Sequence, residues 1–143
     1  MSDIVWSINP DHDSFENIIQ RMCAFAHDML STRDIEYTFE ADEKLNAIKL
    51  PMEVRKNLFL FFKEAVHNLV KHSQAKHAVI RLFLDDEKIK LLIRDDGKGF
   101  DLNQSSLGNG MRTMKERAKQ INATLHIESK EREGTSVELI MKT

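Results

Sequence analysis

Cysteine, proline and glycine are scarce in this chain, with one, two and five copies among 143 residues. The single Cys23 can form no internal disulfide, which points to a reducing, intracellular setting. No stretch approaches the roughly 18 apolar residues that a membrane span needs. The opening MSDIVWSINP has neither the basic nor the apolar region of a secretory signal. Formal net charge is only −2, so bulk electrostatic attraction to nucleic acid is not expected. Neither G-x-x-x-x-G-K-S/T nor G-x-G-x-x-G occurs, which removes the P-loop and the dinucleotide fingerprint. What is present is the balance of a globular domain, 31% charged and 41% hydrophobic, long enough for one real core.

Residues 1 to 13 are irregular, broken by Asn9-Pro10 and by Asp11 and Asp13. Ser14 can cap a helix over residues 15 to 31, where Phe15, Ile18, Ile19, Met22, Phe25, Ala26 and Met29 recur at helical spacing. Ile35, Tyr37 and Phe39 alternate with polar neighbours and predict a strand. The longest helical pattern runs from about 52 to 72, after Pro51. Strands follow at 77–84, alternating around Val79, Arg81 and Phe83, and at 89–95, joined by an Asp85-Asp86-Glu87 turn. A polar loop from Gly97 to Gly108 leads to a helix over about 111–122, then strands at 124–129 and 135–141. This order predicts an α+β fold, a two-layer α/β sandwich whose mixed, largely antiparallel sheet carries helices on one face.

Three clusters of residues carry chemistry. On the long helix, at 100° per residue, Asn57, Glu64, Asn68 and Lys71 fall within about 60° of one another. Leu58, Phe62, Ala65, Val66 and Leu69 lie on the other side. Alone, such a stripe is most simply a solvated face. An amide oxygen and a carboxylate one turn apart can also position Mg²⁺, with a lysine reaching its phosphates. RDDGKGF at 94–100 is the second cluster. There Asp95 ends an apolar strand, where a carboxylate can accept from an exocyclic amine, and Gly97 and Gly99 admit a flat ligand. A strand-ending D-G turn would account for part of it. GNGM at 108–111 is the third, two glycines whose free N–H groups at a helix start can hold an anion. Four of the five glycines fall in these last two clusters, and the fifth, Gly134, precedes Thr135 at the start of the final strand.

Taken together, these segments resemble the ATP-binding domain of the GHKL superfamily of DNA gyrase, the ninety-kilodalton heat-shock chaperone, histidine kinases and mismatch-repair ATPases. The resemblance is to the catalytic domain of sensor histidine kinases, in the short-lid branch that pairs with helix-turn-helix response regulators. EAVHNLVKHSQA is similar to that family's N box, RDDGKGF to its first glycine box, GNGMRTMKERA to its second and GTSVEL to its closing strand. The likeness covers about residues 33 to 141, and DIVWSINP resembles the link from dimerisation helices.

The resemblance implies a division into a linker, residues 1–13, and a catalytic domain, residues 14–143. It implies ATP and Mg²⁺ as cofactors and transfer of the γ-phosphoryl group to a histidine. Asp95 would read the adenine amino group, with Thr135 supporting it through a water. Asn68 would ligate Mg²⁺, Lys71 would lie near the phosphates, and His72 would line the site. Gly97 and Gly99 would shape the base pocket, and Gly108, Gly110 and Met111 would bring the lid backbone, about residues 98–109, to the phosphates. Glu64 matches the general base of the gyrase branch; in kinases an acid beside the acceptor histidine is the alternative. Partners implied are a histidine-bearing dimerisation domain of the same full-length kinase and a response regulator, with no nucleic acid. The fragment is expected to be monomeric and cytoplasmic, the full-length protein a homodimer that in many such kinases is membrane-anchored. His27, followed by Asp28, has the His-acid pair of an acceptor but sits on a single short helix, and is read as a packing residue. The other reading is a stand-alone ATP-binding regulatory switch, such as an anti-sigma-factor serine kinase.

Overall fold

The computed structural model describes residues 15–72, 74–98, 108–130 and 132–142. The expected linker 1–13 and the Ser14 cap therefore lie outside the described residues. Helix α1, Phe15–Thr32, buries Phe15, Ile18, Met22, Ala26 and Leu30, the i, i+3/i+4 series of an amphipathic helix. It ends where Asp34 turns to φ 56° and the Ile35 amide donates back to the Leu30 carbonyl at 2.9 Å. Strand β1, Glu36–Ala41, follows at once.

A short 3₁₀ turn, Glu43–Ala47, was not evident from the sequence. Asp42 caps it by accepting from the Lys44 amide, and Leu45 is fully buried beneath it. Helix α2, Met52–His72, then crosses over to β2, His77–Asp85, which pairs in parallel with β1. The inward row of β2 is Ala78, Ile80 and Leu82; Val79 and Phe83 are half-buried on the opposite row. A tight turn leads into β3, Lys88–Asp95. Its two central residues, Asp86 and Glu87, both have positive φ, 51° and 64°, as a hairpin turn compatible with strand twist requires.

Helix α3, Gly108–Gln120, starts three residues earlier than the spacing suggests, and is followed by β4, Thr124–Lys130, and β5, Gly134–Lys142. The sheet order is β1-β2-β3-β5-β4, and only the β1–β2 pairing is parallel, so the expected mixed, largely antiparallel sheet is found. Its buried rows, including Ile80, Leu91, Ile93 and Leu139, meet Leu58, Phe61, Phe62 and Val66 of α2 in one core. Phe25, Phe39, Phe59 and Phe62 interlock edge-to-face with centroids 6.3–6.4 Å apart.

The two-layer arrangement collects the ends that matter. The start of β2, the end of β3 and the start of β5 form one row, Ala78–Asp95–Thr135. The last turn of α2 lies only a few residues before that row in the chain.

Candidate functional site

The site is built outward from the end of β3. Asp95 faces the same way as Ile89, Leu91 and Ile93, toward the helical layer, and is 8% exposed. Its Oδ1 accepts from the Gly97 amide at 2.9 Å, and the Thr135 amide across the ladder also serves the carboxylate. Burial nevertheless dominates and pushes the carboxyl above the ordinary range, with the neighbouring Asp96 charge adding to it. Keeping an acid here costs the fold something, which is expected of a group that recognises a ligand.

Gly134 shows how tightly the corner is built. Its φ is +89°, and a Cβ placed there would stand 2.1 Å from the Asp95 carbonyl oxygen. The glycine therefore serves close backbone approach beneath Asp95. The Thr135 hydroxyl lies 2.9 Å from that of Ser129, its partner on β4. The Arg132 amide donates to the Lys98 carbonyl, so the β4–β5 turn holds the chain just beyond Gly97. Gly97 is buried at its expected place; Gly99 lies outside the described residues.

Asp96 was missed as a distinct contributor. Its Oδ1 accepts from the amides of Lys76 and His77, both at 2.9 Å, and its Oδ2 meets His77 Nδ1 at 2.8 Å. The His77 amide and imidazole, then the Lys76 amide, hold its carboxyl down to about 2. The signal available in the sequence was only a second aspartate in a D-D-G turn.

The stripe on α2 faces α3. Asn68 Nδ2 donates to Met114 Sδ at 3.3 Å, which orients the amide. Glu64 is half-buried, 3.9 Å from His67 Nδ1, and Lys71 is exposed. Asn57 departs from the solvated-face expectation: it is 2% exposed, its Nδ2 donates to the Glu53 carbonyl, and its Oδ1 accepts from Arg117 Nη1 at 3.0 Å. It docks α3 on α2. The later α2 residue, Asn68, meets the earlier α3 residue, Met114, and the earlier α2 residue, Asn57, meets the later Arg117. Gly108, Gly110 and Met111 lie inside the first turn of α3 rather than before the helix, and His72 is the last residue of α2. The Met111 and His72 side chains, and lid residues 99–107, lie outside the described residues.

Two hollows flank this region. One, about 280 Å³, is lined by Asp95, Gly134 and Thr135 at the strand ends together with Arg94, Glu128 and Ser136. The other, about 440 Å³, lies between the helices beside Glu64, His67 and Arg117.

No group of three or more His, Cys, Asp or Glu residues suited to a metal occurs among the described residues. With its Nδ2 turned to Met114, the Asn68 amide presents an oxygen, the hard donor type that Mg²⁺ takes. His27 is exposed, with Nδ1 2.9 Å from the Tyr37 hydroxyl, a contact that ties α1 to β1. No described helix is long and apolar enough to cross a membrane.

Residues 53–143 match the family model described as histidine kinase-, DNA gyrase B- and HSP90-like ATPase. Over 97 residues the chain is 34% identical to the sensor protein VraS of Staphylococcus aureus, covering 67% of this chain and 28% of that protein. It thus spans little more than a quarter of that relative's length. Among solved structures, the histidine kinase domain of a blue-light activated histidine kinase from Erythrobacter litoralis superposes with a TM-score of 0.71 at 18% identity, covering 87% of this chain and 60% of that one. The catalytic domain of the histidine kinase ThkA gives 0.71 at 11% identity, covering 90% of this chain and 93% of that one.

Proposed function

The chain belongs to the histidine kinase-, DNA gyrase B- and HSP90-like ATPase family, and from that membership we propose that it is the ATP-binding catalytic domain of a sensor histidine kinase. The observation that carries the reading is Asp95, a buried carboxylate held by backbone amides at a strand end, where it lines a hollow with Gly134 and Thr135. Such a group accepts from the adenine amino group, and its fixed position discriminates adenine from bases that offer no donor there. Thr135 and Gly97 hold Asp95, and Thr135 can share a water with the base.

Asn68 is the residue that would hold Mg²⁺, through its amide oxygen, and the metal would neutralise phosphate charge when bound. Lys71 and the N–H groups at Gly108, Gly110 and Met111 suit the phosphates, the latter because a helix start attracts anions. His72, the last residue of α2, would line the site at that end. In the reaction the bond from the γ-phosphorus to the bridging oxygen of ADP breaks and a bond to an imidazole nitrogen of the acceptor forms. The acceptor's N–H proton leaves to a base, and Glu64 is the candidate on this chain. Positioning and electrostatics supply most of the catalysis.

The acceptor belongs to a dimerisation domain of the same full-length kinase, and a response regulator takes the phosphoryl group onward. The domain works in the cytoplasm, as a monomer when isolated, within a homodimeric and membrane-anchored whole, and residues 1–13 form the link. The similarity to a sensor protein favours this reading over a stand-alone regulatory switch.

Calorimetric titration of Mg-ATP tests it. Wild type should bind in the micromolar range, roughly −7 to −8 kcal/mol, and Asp95→Ala should lose at least about 100-fold, since a buried charge-assisted hydrogen bond disappears. No wild-type binding overturns the reading; equal binding by both proteins removes Asp95 as the base reader.

A further inference from the structure

His77 stands between two carboxylates. Its Nδ1 is 2.8 Å from Asp96 Oδ2 and its Nε2 is 3.2 Å from Glu36 Oε2. Ionised carboxylates only accept, while a neutral imidazole has one N–H and one bare lone pair. Both contacts are therefore satisfied together only by the imidazolium. The two carboxylates, Asp96 foremost, accordingly hold His77 protonated above the ordinary 6.5.

What this bridge joins matters more than its strength. Glu36 opens the edge strand β1, His77 opens β2, and Asp96 lies between Asp95 and Gly97. The Asp96 amide donates to the His77 carbonyl at 3.2 Å while the Asp96 carboxylate takes the amides of Lys76 and His77. The turn that presents Asp95 is thus clasped to the start of β2. The Gly97 amide that orients the Asp95 carboxylate is the next residue along.

We propose that Asp96 and His77 are positioning residues for Asp95, with the Glu36–His77–Asp96 bridge holding the Asp95–Gly97 turn in its base-reading form. The inference rests on the nucleotide reading of Asp95. Loss of the His77 proton leaves one ring nitrogen lone pair facing a carboxylate, and one arm of the bridge opens. Asp96 then keeps its full charge beside Asp95, which disfavours the ionised Asp95 that the base requires. The charged groups facing His77 are Glu36 from β1 and Asp96 from the end of β3, with Lys76 its chain neighbour.

The sign follows from the raised value. The bridge is complete below about 6.5 and is lost as pH climbs through the higher value in the folded chain. Asp96, held at about 2, stays ionised throughout that window. The side chains of His77 and Asp96 are 62% and 48% exposed, so the effect is modest, about two- to fivefold in affinity.

The test is calorimetric binding of Mg-ADP from pH 5.5 to 8.5 to wild type, His77→Gln and Asp96→Asn, with Tm recorded at each pH. Expressing each variant as a ratio to wild type at the same pH cancels ionisation of the nucleotide. Wild type should tighten over the variants by about two- to fivefold at low pH, with the ratio approaching one at high pH for His77→Gln. Asp96→Asn, which keeps an acceptor for the two amides but removes the charge beside Asp95, should bind with little dependence on pH, so its ratio to wild type should also shift across the range. A purely structural role would lower Tm in the variants and leave the affinity ratio independent of pH, which overturns the inference alone. Absence of wild-type binding at every pH overturns the nucleotide reading and this inference with it.

Discussion

The end of β3 and the polar side of α2 would serve two halves of one nucleotide, and they are constructed on opposite principles. At the strand end the contacts to Asp95 itself run through backbone amides. Asp95 is held by the amides of Gly97 and Thr135, Gly134 fits under its carbonyl, and Lys98 is tied to Arg132. On α2 the polar groups meet side chains among the described residues, Asn68 to Met114 at 3.3 Å and Glu64 to His67 at 3.9 Å. A base is one rigid shape and rewards a preorganised corner. Phosphates and metal must be released after each transfer, and a stripe that leans on a neighbouring helix can adjust.

The largest effect is expected from Gly134→Ala. A Cβ 2.1 Å from backbone oxygen at φ +89° forces the corner apart, costing about 3 kcal/mol or more. Thermal denaturation should show a Tm lower by about 10 °C. An unchanged Tm would mean the corner is pliable and the contrast with α2 false.

Asn68→Ala probes the other half. Phosphoryl transfer to a supplied histidine-bearing dimerisation domain should fall by about 100-fold, the scale for removing one preorganised polar group. Metal-free nucleotide affinity should hardly move. If that affinity drops as far as in Asp95→Ala, the two regions do not divide the nucleotide as described.

Arg117→Ala should have the smallest effect. It leaves the buried Asn57 oxygen without its partner on α3, at about 1–2 kcal/mol. Tm should fall by a few degrees, and phosphoryl transfer should weaken more than base binding because α3 loosens on α2. Equal losses in both would place α3 in the base site as well.

Much of the fold was legible because it is periodic. The apolar spacing of α1 and α2 and the alternation of the four later strands are local facts, and their bounds agree with the structure within a few residues. The glycine clusters stood out because glycine is rare here, and at Gly134 the backbone reason is a φ of +89° against the Asp95 carbonyl. The misses share a cause. The Asp96 clasp joins residues 19 and 20 apart, and the Arg117–Asn57 bond joins residues 60 apart. Nothing in a linear pattern marks such partners. The 3₁₀ turn escaped because five residues are too few to show a period.

The amino-acid order alone determined which segments become helices and strands, which faces are apolar, and that three polar clusters exist. Side-chain spacing and glycine's freedom at positive φ act over a few residues and need no distant partner. Only the tertiary structure decided that Asn57 is a buried docking amide and not part of a solvated stripe, and that the two adjacent aspartates divide their work. Asp95 points inward to be desolvated and Asp96 outward to clasp β2, because successive residues at a strand end face opposite sides of the sheet and meet different neighbours.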